Sequence, residues 1–571
     1  MHDIVIRNAN VVDGTGAAAA FGDVAIDGES ISAVGLSVGV GRREIDADGR
    51  LLTPGWVDIH SHYDGQATWD PHLVPSGAHG VTTTVFGNCG VGFAPVKADD
   101  RGALVTLMEG VEDIPGAALW EGLAWNWETF PEYLDALEST KRSVDVAALL
   151  PHSAVRAYVM GVEASVRGVA TDDQIAQMQS IVREAISAGA IGLSTSRTKL
   201  HLGSDGGAVP GSFVELQELL DLAGAVRAGG GGMIQLVTDW TDGDPAQQFD
   251  WFRKIADECG LPVAFALVQD DLSPDNIYRI LDLLTEARAD GLEIHAGVGV
   301  RPVGMLINLE SEIHPFSGHP AFQEIAARST PEQLTVMRDP EFKRRILDET
   351  STITNSFWKP RLTNHTQIFV LGDPPDYEPG PERSVAHLAN QAGCSPEEYL
   401  YDFLVEQSHQ DWLMIPLFNY SSGSLEPQFD MMKHPETVIS LADGGAHCGL
   451  ICDASAPTYM LTHWVRDRDR GGRLSLERAV HMQTQRTANA WGFTDRGTIQ
   501  PGSRADLNLI DFDALRLKPP RWATDLPADG RRLLQDADGY IATFQAGQQT
   551  WDAGVPTGNL PGRVVRGLGR R

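Results

Sequence analysis

The feature that most constrains this chain is an alternation across its middle, where short apolar runs of strand length recur between stretches patterned as helices. The runs are Trp56–His62, Val81–Gly87, Val146–Pro151, Ala190–Thr195, Met233–Val237, Pro262–Val268, Glu293–Val300 and Thr437–Ala442. Such alternation favours βα units and a parallel sheet. Eight is the count that closes a TIM (β/α)8 barrel, whose reactive groups gather at the C-terminal ends of its strands. One intervening helix is well punctuated. Thr171 opens a capping box with Gln174, an apolar stripe follows through Ile175, Met178, Ile181, Val182, Ala185 and Ile186, and Gly189 stands where a C-terminal cap belongs.

The interval between the last two runs is too long for one helix, so residues 301–436 hold an insertion, with helical patterns near 331–349 and 384–407. Its Phe316, Phe322, Phe357 and Trp358 read as packing residues, and the segment as a cover that excludes water from a pocket. Both chain ends have a different texture. Ile4 and Ile6 alternate with polar neighbours, Asp27-Gly28 signals a hairpin, and Ala505–Ile510 is again strand-like. The expected division is residues 1–54 and 491–571 as one small β domain, with 55–490 as the barrel.

Composition narrows the partners. A net charge of −32 argues against a nucleic-acid partner, since phosphate binding needs a basic surface. The short basic tail of Arg563, Arg566, Arg570 and Arg571 reads as a solvated terminus. No run approaches the roughly 18 apolar residues of a membrane span. The N-terminus lacks the basic and apolar regions of a signal peptide, so the expected location is cytoplasmic. Five scattered cysteines without a CxxC pair suit a reduced compartment, and Cys448 and Cys452 read as packed thiols. Gly229–Gly232 lacks the Lys-Ser/Thr of a phosphate loop and reads as a helix cap.

Three motifs carry chemistry. In Trp56-Val57-Asp58-Ile59-His60-Ser61-His62, histidines spaced i, i+2 at a strand end point the same way and can chelate one metal ion. The run Ile439–Ala442 ends in Asp443, at the top of the eighth strand. A carboxylate there can take a proton from water and later deliver one to a leaving group. In Gly87-Asn88-Cys89-Gly90, Cys89 sits on a tight turn, where it is equally a zinc-binding thiolate or an inert buried thiol.

With these residues in view, the chain resembles the amidohydrolase superfamily, specifically the N-acyl-D-amino-acid deacylases (D-aminoacylases). The matching pieces are Asp3–Ala9, Thr53–His62, Gly87–Gly90, Gly192–Thr195, Ala442–Gly444, Gly502–Leu507 and Thr557–Arg563, in family order from one end to the other. The resemblance implies a distorted barrel with a β-sandwich formed by both termini. It implies zinc, one or two ions per chain, with His60 and His62 as ligands and Cys89 shared with a second metal position. Asp443 is then both ligand and general acid/base.

Two departures matter. Deacylases of this family carry a His at the end of strand five and another at the end of strand six; here those positions align with Gln235 and Leu267, neither a good zinc ligand. The second metal position is thus lost or rebuilt, with His152, His201 and His295 as candidates to rebuild it. Recognition has changed as well, with Ser194–His201 and Gln269 standing where substrate-facing residues are expected. Arg197, Lys199, Arg301 and Arg361 offer cationic alternatives, although each alone reads better as a surface ion-pair partner. Lys199, Arg197, Gln235, Gln269 and Arg301 are therefore the substrate-binding candidates.

The leading expectation is a metal-dependent hydrolase of a small N-acyl-amino-acid-like amide, possible as a homo-oligomer. The alternatives are a single-metal cyclic-amide or lactone hydrolase or deaminase of the same superfamily, and a catalytically silent relative kept for binding or assembly.

Overall fold

A computed structural model describes residues 1–240, 244–406 and 411–567. Arg570 and Arg571 of the basic tail lie outside the described residues. Each of the eight apolar runs overlaps a strand: β1 (Trp56–Asp58), β2 (Val81–Phe86), β3 (Asp145–Ala148), β4 (Gly192–Arg197), β5 (Met233–Thr238), β6 (Val263–Leu267), β7 (Ile294–Val298) and β8 (Thr437–Ile439). They pair in parallel as β1-β2-β3, and as Leu150–Pro151 followed by β4-β5-β6-β7-β8. Every residue of β2 and β6 is buried, as expected of parallel strands covered on both faces.

The two groups of strands meet at both margins. Leu149 N donates to Phe86 O at 2.9 Å, and Ile191 N donates to Ala148 O at 3.0 Å. Beyond the end of β1, His62 N donates to Gly444 O at 2.8 Å, while Asp443 N donates to His60 O at 3.1 Å. The fold is α/β, and the first strand lies beside the last.

Helix α1 (Arg101–Glu112) buries Leu104, Val105, Met108 and Val111. Helix α2 (Asp172–Ala188) has the expected capping box between Thr171 and Gln174 and ends at Gly189, whose φ of 120° suits a residue without a side chain. Gly229–Gly232 likewise closes a helix, Leu216–Gly229, with the Gly230 N–H bonded back to Arg227 and Val226.

Strands from both chain ends share one sheet. His2–Val11 pairs with Ala20–Asp27 and with Leu51–Pro54, and Leu51–Pro54 pairs with Leu507–Ile510. Its apolar side, including Ile6, Val24, Leu52, Leu507 and Phe544, forms its own core. Arg563 and Arg566 are exposed, as the tail reading expects, while the backbone around them is docked on β3. Val146 N donates to Arg563 O, Val565 N donates to Val146 O at 2.7 Å, and Arg563 N donates to Asp145 Oδ1 at 2.8 Å. The buried Asp145 and the free edge of β3 supply backbone partners that a tail read as sequence cannot reveal.

Within residues 301–436, Val303–Ile307, Phe369–Val370 and Leu413–Phe418 form an antiparallel sheet. Helices Thr330–Met337, Pro340–Asp348, Val385–Ala392 and Pro396–Glu406 surround it. Phe316 and Phe322 lie in a separate apolar core there, and Phe357 and Trp358 pack against it. Among the described residues, no helix is long and apolar enough to cross a membrane.

Candidate metal centre and active site

The chain continues past β1 in strand-like fashion. Ser61 turns away and donates to Val85 O through both its N–H and its Oγ, which leaves His60 and His62 together on the other side. Their rings lie 5.4 Å apart at an interplanar angle of 64°. Cys89 follows β2 in a turn with φ of 57°, between Gly87 and Gly90, which also have positive φ. Both glycines are required by close approach: a Cβ at Gly87 would sit 2.3 Å from Leu149 O, and one at Gly90 would sit 2.6 Å from Ser196 N. Asn88 braces the turn by donating to Ser61 O and Val85 O, and Gln235 accepts the Cys89 N–H at 3.0 Å.

These turns converge. Cys89 Sγ is 3.4 Å from His60 Nε2 and 3.9 Å from His62 Nε2. Asp443 Oδ1 completes the group at 3.5 Å from His60 Nε2 and 3.7 Å from His62 Nε2. The ligating atoms of His60, His62 and Cys89 all lie within 4.8 Å of one another. Asp443 is carried on a strained segment in which Leu441, Asp443 and His447 have φ of 62°, 45° and 51°.

The electrostatics are unusual for a protein interior. Burial, followed by the neighbouring His201 and His447, lowers the His60 pKa to about 3, and burial lowers His62 as well, which favours the neutral imidazole that a metal ligand needs. Burial raises the Cys89 thiol and the Asp443 carboxyl well above their ordinary ranges, and Asp453 and Asp58 add to the effect on Asp443. Glu112 is raised by burial, Asp443 and Asp64. Among the described residues, no Lys or Arg forms an ion pair with Asp64, Glu112 or Asp443. Neutral imidazoles, a thiol and uncompensated buried carboxyls are a donor set that fits a divalent cation.

The remaining candidates have other surroundings. Of the histidines considered for rebuilding a second metal position, His201 lies within electrostatic reach of His60 and His62. His152 is instead bonded to Thr195 and Glu218, and His295 lies beside Glu293. Gln235 is buried against the Cys89 backbone, and Leu267 is fully buried. Gln269 exchanges backbone and side-chain bonds with Asn419, and its Oε1 has no partner. Arg301 is buried, paired with Asp453 at 2.9 Å and stacked on Tyr377. Arg197 stacks on Trp251 and donates to Val214 O, and Arg361 donates to Phe357 O. Lys199 is exposed, with its N–H bonded to Asp239.

Two residues beside the centre were not singled out in the sequence. His447, four residues after Asp443, had its place in that motif as a signal. Glu112, the last residue of α1, belongs to no motif; its Oε1 lies 3.2 Å from His62 Nδ1.

The profile of the amidohydrolase family matches residues 43–556. The N-acyl-D-aspartate deacylase of Alcaligenes xylosoxydans xylosoxydans is 26% identical over 568 residues, which cover 99% of this chain and 95% of that protein. The D-aminoacylase of the same organism is 33% identical over 194 residues, 34% of this chain and 37% of the relative. Among solved structures, a D-aminoacylase superposes with a TM-score of 0.66 at 23% identity, covering 99% of this chain and 100% of the other. N-acyl-D-glutamate deacylase from Bordetella bronchiseptica, complexed with zinc and a phosphonate inhibitor, superposes with a TM-score of 0.64 at 22% identity, covering 99% of each chain. The chain belongs to the amidohydrolase family, as a hydrolase of carbon–nitrogen bonds other than peptide bonds, and within that family it is similar to the D-aminoacylases.

Proposed function

We propose that the protein hydrolyses the amide bond of a small N-acyl-amino-acid-like substrate, at a centre held by His60, His62, Cys89 and Asp443 at the mouth of a closed, distorted barrel. The observation that carries this reading is the meeting of Cys89 Sγ, two imidazole Nε2 atoms and Asp443 Oδ1 at separations of 3.4–3.9 Å, from three stretches far apart in sequence. A divalent cation there, zinc in our reading, supplies Lewis acidity that acidifies water and polarises an amide carbonyl.

The chain's own residues do the rest. Asp443 Oδ1 takes the proton that the attacking water loses and delivers it to the departing nitrogen. Asn88 and Gln235 fix the turn that presents Cys89. The terminal strands form a separate β-sandwich domain in this reading, away from the chemistry.

A second reading has a specific observation behind it. Gln235 and Leu267 stand where deacylases carry histidines. One is bonded to the Cys89 backbone and the other has no donor, which favours a single cation and a cyclic amide, lactone or amine as substrate. A screen of N-acyl-D-amino acids, cyclic amides, lactones and deaminase-type amines on zinc-loaded protein, with the metal counted per chain, separates the two. Turnover of none of these classes overturns both.

A further inference from the structure

The end of α1 is an expensive place for Glu112. The side chain is 3% exposed, it sits at the helix terminus where the backbone dipole disfavours a negative charge, and it is surrounded by other carboxyls. Its Oε1 lies 3.2 Å from His62 Nδ1, and that ring is only 1% exposed. Among the described residues neither atom has a hydrogen-bond partner, so two orphaned buried polar atoms face each other across that gap. His62 Nε2, on the opposite side of the ring, faces Cys89 Sγ and Asp443 Oδ1.

The same helix end also grips the loop beyond β8. His447 N donates to Glu112 O, Cys448 N donates to Asp113 O at 3.0 Å, and Gly449 N donates to Asp113 Oδ2 at 2.9 Å. Residues 112–113 thus touch both an imidazole of the centre and the segment that carries Asp443.

We propose that Glu112 is a positioning residue for the metal centre: it accepts the Nδ1 proton of His62, which fixes the tautomer and ring orientation and leaves the Nε2 lone pair on the cation. A ligating imidazole is commonly held this way through its second nitrogen, and loss of such a partner typically weakens metal affinity about 10–100-fold. The proposal rests on the reading of His62 as a ligand.

The test is zinc affinity by chelator competition, on wild type, Glu112→Gln and Glu112→Asp. Glu112→Gln preserves the shape while removing the charge. It is expected to bind zinc about 10–100-fold more weakly with an unchanged unfolding midpoint of the metal-free protein, and Glu112→Asp is expected to recover part of the affinity. A purely structural Glu112 would move the midpoint and leave affinity alone. Equal affinities for Glu112→Gln and wild type overturn the proposal while leaving the metal reading intact; a wild type that binds no zinc overturns both. If Glu112→Gln does not fold, nitrogen chemical shifts of His62 in zinc-loaded wild type decide. The proton is expected on Nδ1, and a proton on Nε2 overturns the proposal.

Discussion

The opposite ends of the strands treat buried carboxyls in opposite ways. At the start of β3, Asp145 is fully buried. It pairs with Arg496 at 2.8 Å and Arg504 at 3.1 Å, and also accepts the Arg563 N–H. At the far end, Asp64 and Glu112 are also buried and Asp443 is mostly so, yet no Lys or Arg among the described residues pairs with them. Burial pushes Asp64 up to about 7 even though it accepts the Gly87 N–H. One end is electrically closed and holds the C-terminal part of the chain to β3. The other is left open, and a bound cation would balance it. Buried charge serves stability where its partner is covalent to the chain, and chemistry where the partner must arrive.

Four experiments probe this contrast. The largest effect belongs to Asp443→Asn, expected to lower kcat about 10²–10⁴-fold while zinc still binds through the histidines. Steady-state kinetics with metal analysis checks it, and full activity would remove Asp443 from the chemistry. Asp145→Asn leaves two buried guanidinium groups short of charge and is expected to cost about 3–5 kcal/mol in denaturant unfolding, with kcat per folded molecule unchanged. Equal stability would mean the closed end is not held by its charges.

The third experiment uses another closed pair. Burial alone would raise Glu378, but His463, Arg468 and the Leu425 N–H overcome it and hold the carboxyl at about 2, below its ordinary 4.5. A depressed folded pKa contributes stability above the unfolded value and loses it as pH falls. The loss is therefore expected between about pH 4.5 and 2, on the order of 3 kcal/mol. Glu378→Gln should flatten unfolding free energy across that window; an unaltered acid limb would contradict the assignment. The smallest effect is at the open end. Zinc at about 100 times its Kd is expected to raise stability by about 2.7 kcal/mol, and His60→Ala with His62→Ala should abolish the rise. If the rise survives, the cation sits elsewhere.

Legibility in the sequence followed the same division. All eight parallel strands overlap the apolar runs, with ends differing by one or two residues at Asp145, Arg197 and Thr238, because parallel strands buried on both faces write themselves as continuous apolar sequence. His60, His62, Cys89 and Asp443 were visible because each follows a strand in a short motif, and the structure brings them together. Arg301 was a candidate for binding an anion because a sequence does not show its partner, and Asp453 lies 152 positions away. Gln235 was weighed as a weak ligand or substrate contact, whereas its amide braces Cys89 from another strand. Glu112 was invisible for a simpler reason: at the end of an amphipathic helix, a lone glutamate looks like solvent-facing charge.

The left-handed residues around Asp443 have a consequence for how this protein can change. Leu441 and His447 adopt φ of 62° and 51°, a region that Asn, Asp and His tolerate best and that a leucine enters at a cost of about 1–3 kcal/mol. Glycine at either position would release that tension and toughen the fold. It would also free the Asp443 carboxyl to leave the two imidazoles it faces, so in the proposed reading relaxing this segment trades aim at the substrate for durability.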